Sequence, residues 1–119
     1  MDEMQRLRGT FYGQAIGDAL GARYEFKKAG MVVEQMKRDR AVLFGFGEHK
    51  RVPILGEPKR WVEPGQVTDD TEMATCLARS LVANNGFNKE HIACSYVQWK
   101  LLCPPNIGCT TLSALAIGG

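Results

Sequence analysis

Apolar residues recur at helical spacing along most of the chain, and the period-two alternation that a half-buried strand needs is not found. Between residues 4 and 22, Met4, Leu7, Phe11, Ala15 and Leu20 lie near one stripe while Arg6, Arg8 and Gln14 fall off it, which predicts a long helix. Val32, Val33 and Met36 predict a short helix over 30–37. From 44 to 67 the pattern breaks, as Gly45, Gly47, Gly56 and Gly65 alternate with Pro53, Pro58 and Pro64. An irregular connection of that length is unusual in a compact domain, and such segments are often functional. Met73, Leu77 and Leu81 restore the helical period in a helix that opens near Thr68 and is stopped after Ala83 by Asn84-Asn85-Gly86. Ile92, Tyr96 and Trp99 predict another helix over 88–102, broken by the run from Cys103 to Gly108. Thr110 is expected to cap a last small-residue helix over 111–117, before Gly118-Gly119. The predicted architecture is all-α.

The first helix has an odd second half. Gly13, Gly17 and Gly21 recur every four residues, and each costs up to about 1 kcal/mol relative to alanine in a helix interior. Three on one face imply a close approach there, either of another helix or of a ligand. Asp18 sits beside that face, and an acid among small residues needs a hydrogen-bond partner in a neighbouring turn.

Composition narrows the class. The 119 residues are 45% apolar and 24% charged, which suits a soluble globular protein with a sizeable core. Net charge is +2, with no basic stripe, so nucleic acid and anionic membrane are poor partners. The short cluster Lys37-Arg38-Asp39-Arg40 reads as solvated surface, and His91, with no ligand at metal spacing, as surface also. Lys50, Arg51, Lys59 and Arg60 are loop cations open to solvent or to an anion, and Phe44, Phe46 and Trp61 either stack on a ring or anchor the loop. Four cysteines without a C-x-x-C pair, an acidic start without an apolar run behind it and no membrane-length apolar segment predict a reduced, cytoplasmic protein.

The chemistry concentrates at Thr68-Asp69-Asp70-Thr71-Glu72. Two adjacent carboxylates between hydroxyls at a helix start can hold a hard divalent cation through oxygen. They can equally cap the helix: Thr68 or Asp69 accepting from free N–H groups, Asp69-x-x-Glu72 in the shape of a capping box, and acids favoured by the helix dipole. One helix start can serve both purposes.

Three motifs in order carry a resemblance. Gly13-x-x-x-Gly17-Asp18-Ala19-Leu20-Gly21-Ala22-x-x-Glu25 comes first, then Thr68-Asp69-Asp70-Thr71-x-Met73-Ala74, then Pro104-Pro105-Asn106-Ile107-Gly108-x-Thr110-Thr111. Together they resemble the ADP-ribosylglycohydrolase family over nearly the whole chain, Asn106 standing where that family usually has aspartate. The resemblance implies an all-α hydrolase with two Mg²⁺ or Mn²⁺ ions that removes ADP-ribose from modified protein side chains or related conjugates. It implies Thr68, Asp69, Asp70 and Glu25 as metal ligands, Glu25, Asp69 and Asp70 in catalysis, and Asp18 and Thr71 behind them.

It further implies that residues 1–119 are the N-terminal portion of a longer domain whose distal half carries a second Asp-x-Asp-Thr cluster. On that expectation this chain supplies part of the ligands, as a fragment or with another chain completing the site, and an uncovered apolar face favours self-association. The competing class is a non-catalytic relative, structural or ADP-ribose-binding, in which the fold outlived the chemistry. A helical nucleic-acid binder is disfavoured by the charge.

Overall fold

The computed structural model describes residues 1–44, with side chains to residue 40, and residues 53–116. The expectations for Gly45, Phe46, Gly47, Lys50, Arg51, Ile117, Gly118 and Gly119, and for the Phe44 side chain, lie outside the described residues. Among the described residues there are five α-helices: α1 (Glu3–Gly21), α2 (Ala29–Phe44), α3 (Asp69–Ala83), α4 (Lys89–Leu101) and α5 (Cys109–Ala116). Among the described residues there is no strand beyond a single antiparallel bridge between Glu57 and Val62, so the all-α expectation holds. No helix is long and apolar enough to cross a membrane. The chain divides into two compact units, Met1–Val67 and Thr68–Gly119.

In the first unit, α1 begins one residue earlier than its apolar stripe. Asp2 accepts the Gln5 N–H at 2.7 Å while the Gln5 side chain accepts the Asp2 N–H at 3.1 Å, a reciprocal capping box. The helix buries Ala19, and the residue after it, Ala22, is buried as well. Met4, Leu7 and Phe11 of the apolar stripe are exposed, at 56%, 58% and 40%. Among the described residues, no atom of the chain beyond the adjoining helix backbone lies within 4 Å of a Cβ added at Gly13, Gly17 or Gly21. Periodicity reports that a helix has an apolar side, not what lies against it.

α2 runs sixteen residues, twice the predicted span, straight through Lys37-Arg38-Asp39-Arg40. The solvated-surface expectation fails at Asp39, which is 2% exposed. Its carboxylate accepts two bonds from Arg23 (Nε 2.7 Å, Nη2 2.8 Å), one from the Tyr24 hydroxyl at 2.7 Å and one from Gln35 at 2.8 Å. A buried charge is tolerable only when paired and bonded in this way. Arg23 also reaches the Gly56 carbonyl at 3.2 Å, and Lys27 pairs with buried Glu57 at 3.0 Å. Among the described residues of this unit, two paired carboxylates are thus buried alongside Ala19, Ala22 and Val62.

Residues 57–62 form a compact turn. Glu57 exchanges backbone bonds with Val62 at 2.9 and 3.1 Å around a 3₁₀ turn, Pro58–Arg60. Proline suits its start, and Trp61 closes it in the left-handed region at φ 59°. Gly56 (φ +68°) is required, because a Cβ there would collide with the Val62 carbonyl and sit 2.7 Å from the Glu63 carbonyl carbon.

The second unit contains an αα-hairpin followed by a short helix. α3 stops where Asn84-Asn85-Gly86 predicts: Asn85 turns left-handed (φ 49°) and the Gly86 N–H returns to the Leu81 carbonyl at 2.9 Å. Asn88 caps α4 by accepting the His91 N–H at 3.0 Å. His91 is exposed yet not idle, as its Nδ1 and the hydroxyl of buried Ser80 lie 2.7 Å apart, joining the two helices. Ile92 and Trp99 are the buried apolar residues of α4. The last helix starts at Cys109, with the Leu112 N–H on the Gly108 carbonyl, so Thr110 lies in its first turn and is not its cap.

Burial alone would raise the Asp39 carboxyl, but the bonds from Arg23, Tyr24 and Gln35 and the Arg23 charge outweigh it and hold it at about 2. A carboxyl depressed in the fold contributes stability above its unfolded value, and that contribution is lost as pH falls through the folded one. Stability measured by urea unfolding should therefore drop by about 2 kcal/mol between pH 5 and pH 2 from this group. Asp39→Asn should lose about 3 kcal/mol at pH 7, because Arg23 is left without its counter-charge, and should flatten that acid limb.

Candidate functional site

Thr68 ends an extended approach (φ −115°, ψ −163°) and is the N-cap of α3; its carbonyl accepts the Glu72 N–H at 3.1 Å. Its side chain makes no cap bond. Asp69 and Asp70 are the first two helical residues. Burial is graded along the run: Thr68 is buried, Asp69 half-buried, Asp70 exposed and Thr71 buried again. Three acids, Asp69, Asp70 and Glu72, stand in the first turn, where the free N–H groups and the helix dipole favour negative charge.

The capping-box expectation does not hold. Asp69 is already inside the helix, and the Glu72 carboxylate is taken by the Trp99 indole N–H of α4 at 2.7 Å. A buried indole needs an acceptor, and that need draws Glu72 sideways and away from the helix start. No local pattern reveals this, because the two residues are 27 apart in sequence.

The other expected residues belong to the first unit. Asp18 is half-buried on α1, its carbonyl accepting the Ala22 N–H at 3.0 Å. Glu25 lies in the turn after α1, its own N–H on the Gly21 carbonyl at 3.1 Å. Its carboxylate is exposed and paired: Oε2 accepts from Arg60 Nη1 at 2.9 Å. The same nitrogen reaches the Ala22 carbonyl at 3.2 Å, and the guanidinium lies over the Phe26 ring, 4.8 Å from its centre. Phe26 is left-handed at φ 64°. Arg60, read from sequence as a loop cation, is a three-way clamp on the turn that carries Glu25.

Thr68, Asp69 and Asp70 offer a hydroxyl and two carboxylates, all oxygen donors of the kind Mg²⁺ and Mn²⁺ take. They fit such an ion in kind but not in number, an octahedral cation needing six donors. Among the described residues, no three of His, Cys, Asp and Glu gather into a group able to hold a metal by themselves.

Comparison with known proteins gives one consistent answer. The family model described as ADP-ribosylglycohydrolase matches residues 1–117. The chain is 36% identical over 107 residues to the ADP-ribosyl-dinitrogen-reductase glycohydrolase of Rhodospirillum rubrum, covering 88% of this chain and 32% of that protein. It is 35% identical over 96 residues to an ADP-ribosylarginine hydrolase of Pseudomonas putida (strain GB-1), covering 81% of this chain and 21% of that protein. The chain thus spans at most about a third of the length of these relatives.

Removing the clamp should loosen one turn only. Arg60→Ala is expected to cost about 1 kcal/mol, the scale of a partly exposed ion pair with a cation–π contact. Amide hydrogen exchange should speed up across residues 22–26 while α3 and α4 keep their protection; an unchanged turn would show that Arg60 holds nothing there.

Proposed function

Since the chain belongs to the ADP-ribosylglycohydrolase family, we propose that it takes part in metal-dependent hydrolysis of ADP-ribose conjugates, with ADP-ribosylated arginine on a protein as the first substrate to try. The observation that supports this most directly is the run Thr68-Asp69-Asp70, which opens α3 as N-cap and first two residues. The names of the relatives, which act on ADP-ribosyl-dinitrogen reductase and ADP-ribosylarginine, support the substrate class.

On this reading the complete site holds two Mg²⁺ or Mn²⁺ ions, and Thr68, Asp69, Asp70 and Glu25 supply part of the ligands. Such an ion, when bound, polarises ribose hydroxyls and lowers the pKa of a coordinated water. The chain's own residues do the rest. The Asp69 and Asp70 carboxylates offset positive charge as the ribose becomes oxocarbenium-like while the glycosidic bond lengthens. Glu25 accepts a proton from the attacking water at a carboxylate oxygen and passes it on to the arginine guanidine that departs as the glycosidic bond breaks, while Arg60 holds that carboxylate in place. Asp18 and Thr71 support the ligands from behind. The setting is cytoplasmic, where the four cysteines, all free, stay reduced.

The test is release of ADP-ribose from an ADP-ribosylarginine conjugate by the 119-residue chain, with Mg²⁺, with Mn²⁺ and with chelator. With only part of the ligands supplied by this chain, release is expected to be weak, to require metal, and to fall to background in chelator and in Asp69→Ala and Asp70→Ala. Binding of ADP-ribose without release under any metal would leave the chain as a non-catalytic, ADP-ribose-binding relative.

A further inference from the structure

We infer that the turn from Ala22 to Phe26 is a guanidinium-binding cradle, filled by the chain's own Arg60, and that it takes in exchange the arginine side chain freed from an ADP-ribosylated protein. The choice of arginine rests on the function proposed above. Three groups of the turn meet one guanidinium. The Glu25 carboxylate accepts from Arg60 Nη1 at 2.9 Å, and the Ala22 carbonyl accepts from the same nitrogen at 3.2 Å. The Phe26 ring lies against the guanidinium, its centre 4.8 Å from the central carbon. Each group answers a different property of an arginine side chain: its charge, its fixed N–H directions and its flat, weakly hydrated face. An ammonium offers only the first in full.

Bonds other than those of Arg60 set the path of the turn. The Ala22 N–H reaches the Asp18 carbonyl, the Tyr24 and Glu25 N–H groups share the Gly21 carbonyl, and Arg23 and Tyr24 fasten to Asp39. Phe26 sits in the left-handed region at φ 64°, strained for a bulky residue, and at 85% exposure it fills no core. Its ring serves the guanidinium that lies on it. The cradle is also within reach from outside, the Glu25 side chain being 47% exposed and that of Arg60 26%. Arg60 comes from a separate turn and makes both hydrogen bonds through one nitrogen. A guanidinium free of that tether can set two nitrogens on the two carboxylate oxygens. In the proposed reaction Arg60 steadies Glu25 during attack; the arginine that then departs as a guanidinium is the same chemical group and competes for the same cradle.

The test is chemical rescue of the Arg60→Ala chain by ethylguanidinium chloride, at constant ionic strength, read as amide hydrogen exchange at Ala22, Tyr24 and Glu25. Exchange there is expected to speed up in Arg60→Ala, and ethylguanidinium to restore protection saturably, with a midpoint on the order of 10 mM for so small an ion. Ethylammonium should need about tenfold more, and so should ethylguanidinium once Glu25→Gln is added to Arg60→Ala. Should Arg60→Ala not unfold cooperatively, Arg60→Lys, which keeps the charge without the planar face, takes its place with the same expectation. Protection that ethylguanidinium does not restore, or that ethylammonium restores equally well, would overturn the inference. So would a rescue undiminished by Glu25→Gln. Rescue in a chain that releases no ADP-ribose would support the cradle and overturn only the hydrolytic reading, so the two failures are told apart.

Discussion

A carboxylate cannot be buried alone, and the first unit is arranged around that constraint. Asp39, deep in α2, is made tolerable by Arg23, Tyr24 and Gln35. Two of those partners belong to the turn after α1, so neutralising Asp39 also anchors the chain just before Glu25. The raised phenol of Tyr24, pushed up to about 12 by burial and by its bond to Asp39, belongs to the same lock. Arg60 then closes the turn from the other side through Ala22, Glu25 and Phe26. A candidate site residue is thereby held by two guanidinium groups drawn from different parts of the sequence.

The second unit solves a smaller problem of the same kind. A buried indole N–H and a half-buried carboxylate satisfy each other across the α3/α4 hairpin, and the hydroxyl of Ser80 does likewise with His91 toward the hairpin's turn. These bonds fix the register of two helices whose apolar contribution is modest, Ile92 and Trp99 being the buried apolar residues of α4. The start of α3 is consequently tied to the last turn of α4 through the Glu72–Trp99 bond.

What was legible in the chain follows from range. Helices α3 and α4 could be read because their signals are local: apolar residues three and four apart, Asn84-Asn85-Gly86 as a stop, Asn88 as a start. The contiguous run Thr68-Asp69-Asp70 was legible for the same reason. α2 was cut short because charged residues interrupt its apolar pattern, while the charge that matters is turned inward to Arg23, sixteen residues away. Arg60 and Glu25 are 35 residues apart, and Trp99 and Glu72 are 27 apart, distances at which spacing says nothing. The capping box at Asp69-x-x-Glu72 was misjudged for the complementary reason: a good local partner lost to a better distant one.

The central claim of the proposed function is that the run Thr68-Asp69-Asp70 at the N-terminus of α3 binds a divalent cation. The most direct measurement is paramagnetic broadening of backbone amide signals by substoichiometric Mn²⁺. Broadening centred on residues 68–71, reversed by excess Mg²⁺, is the predicted result. Broadening centred elsewhere, for instance on Glu57 or Glu63, or a spectrum indifferent to Mn²⁺, would contradict it.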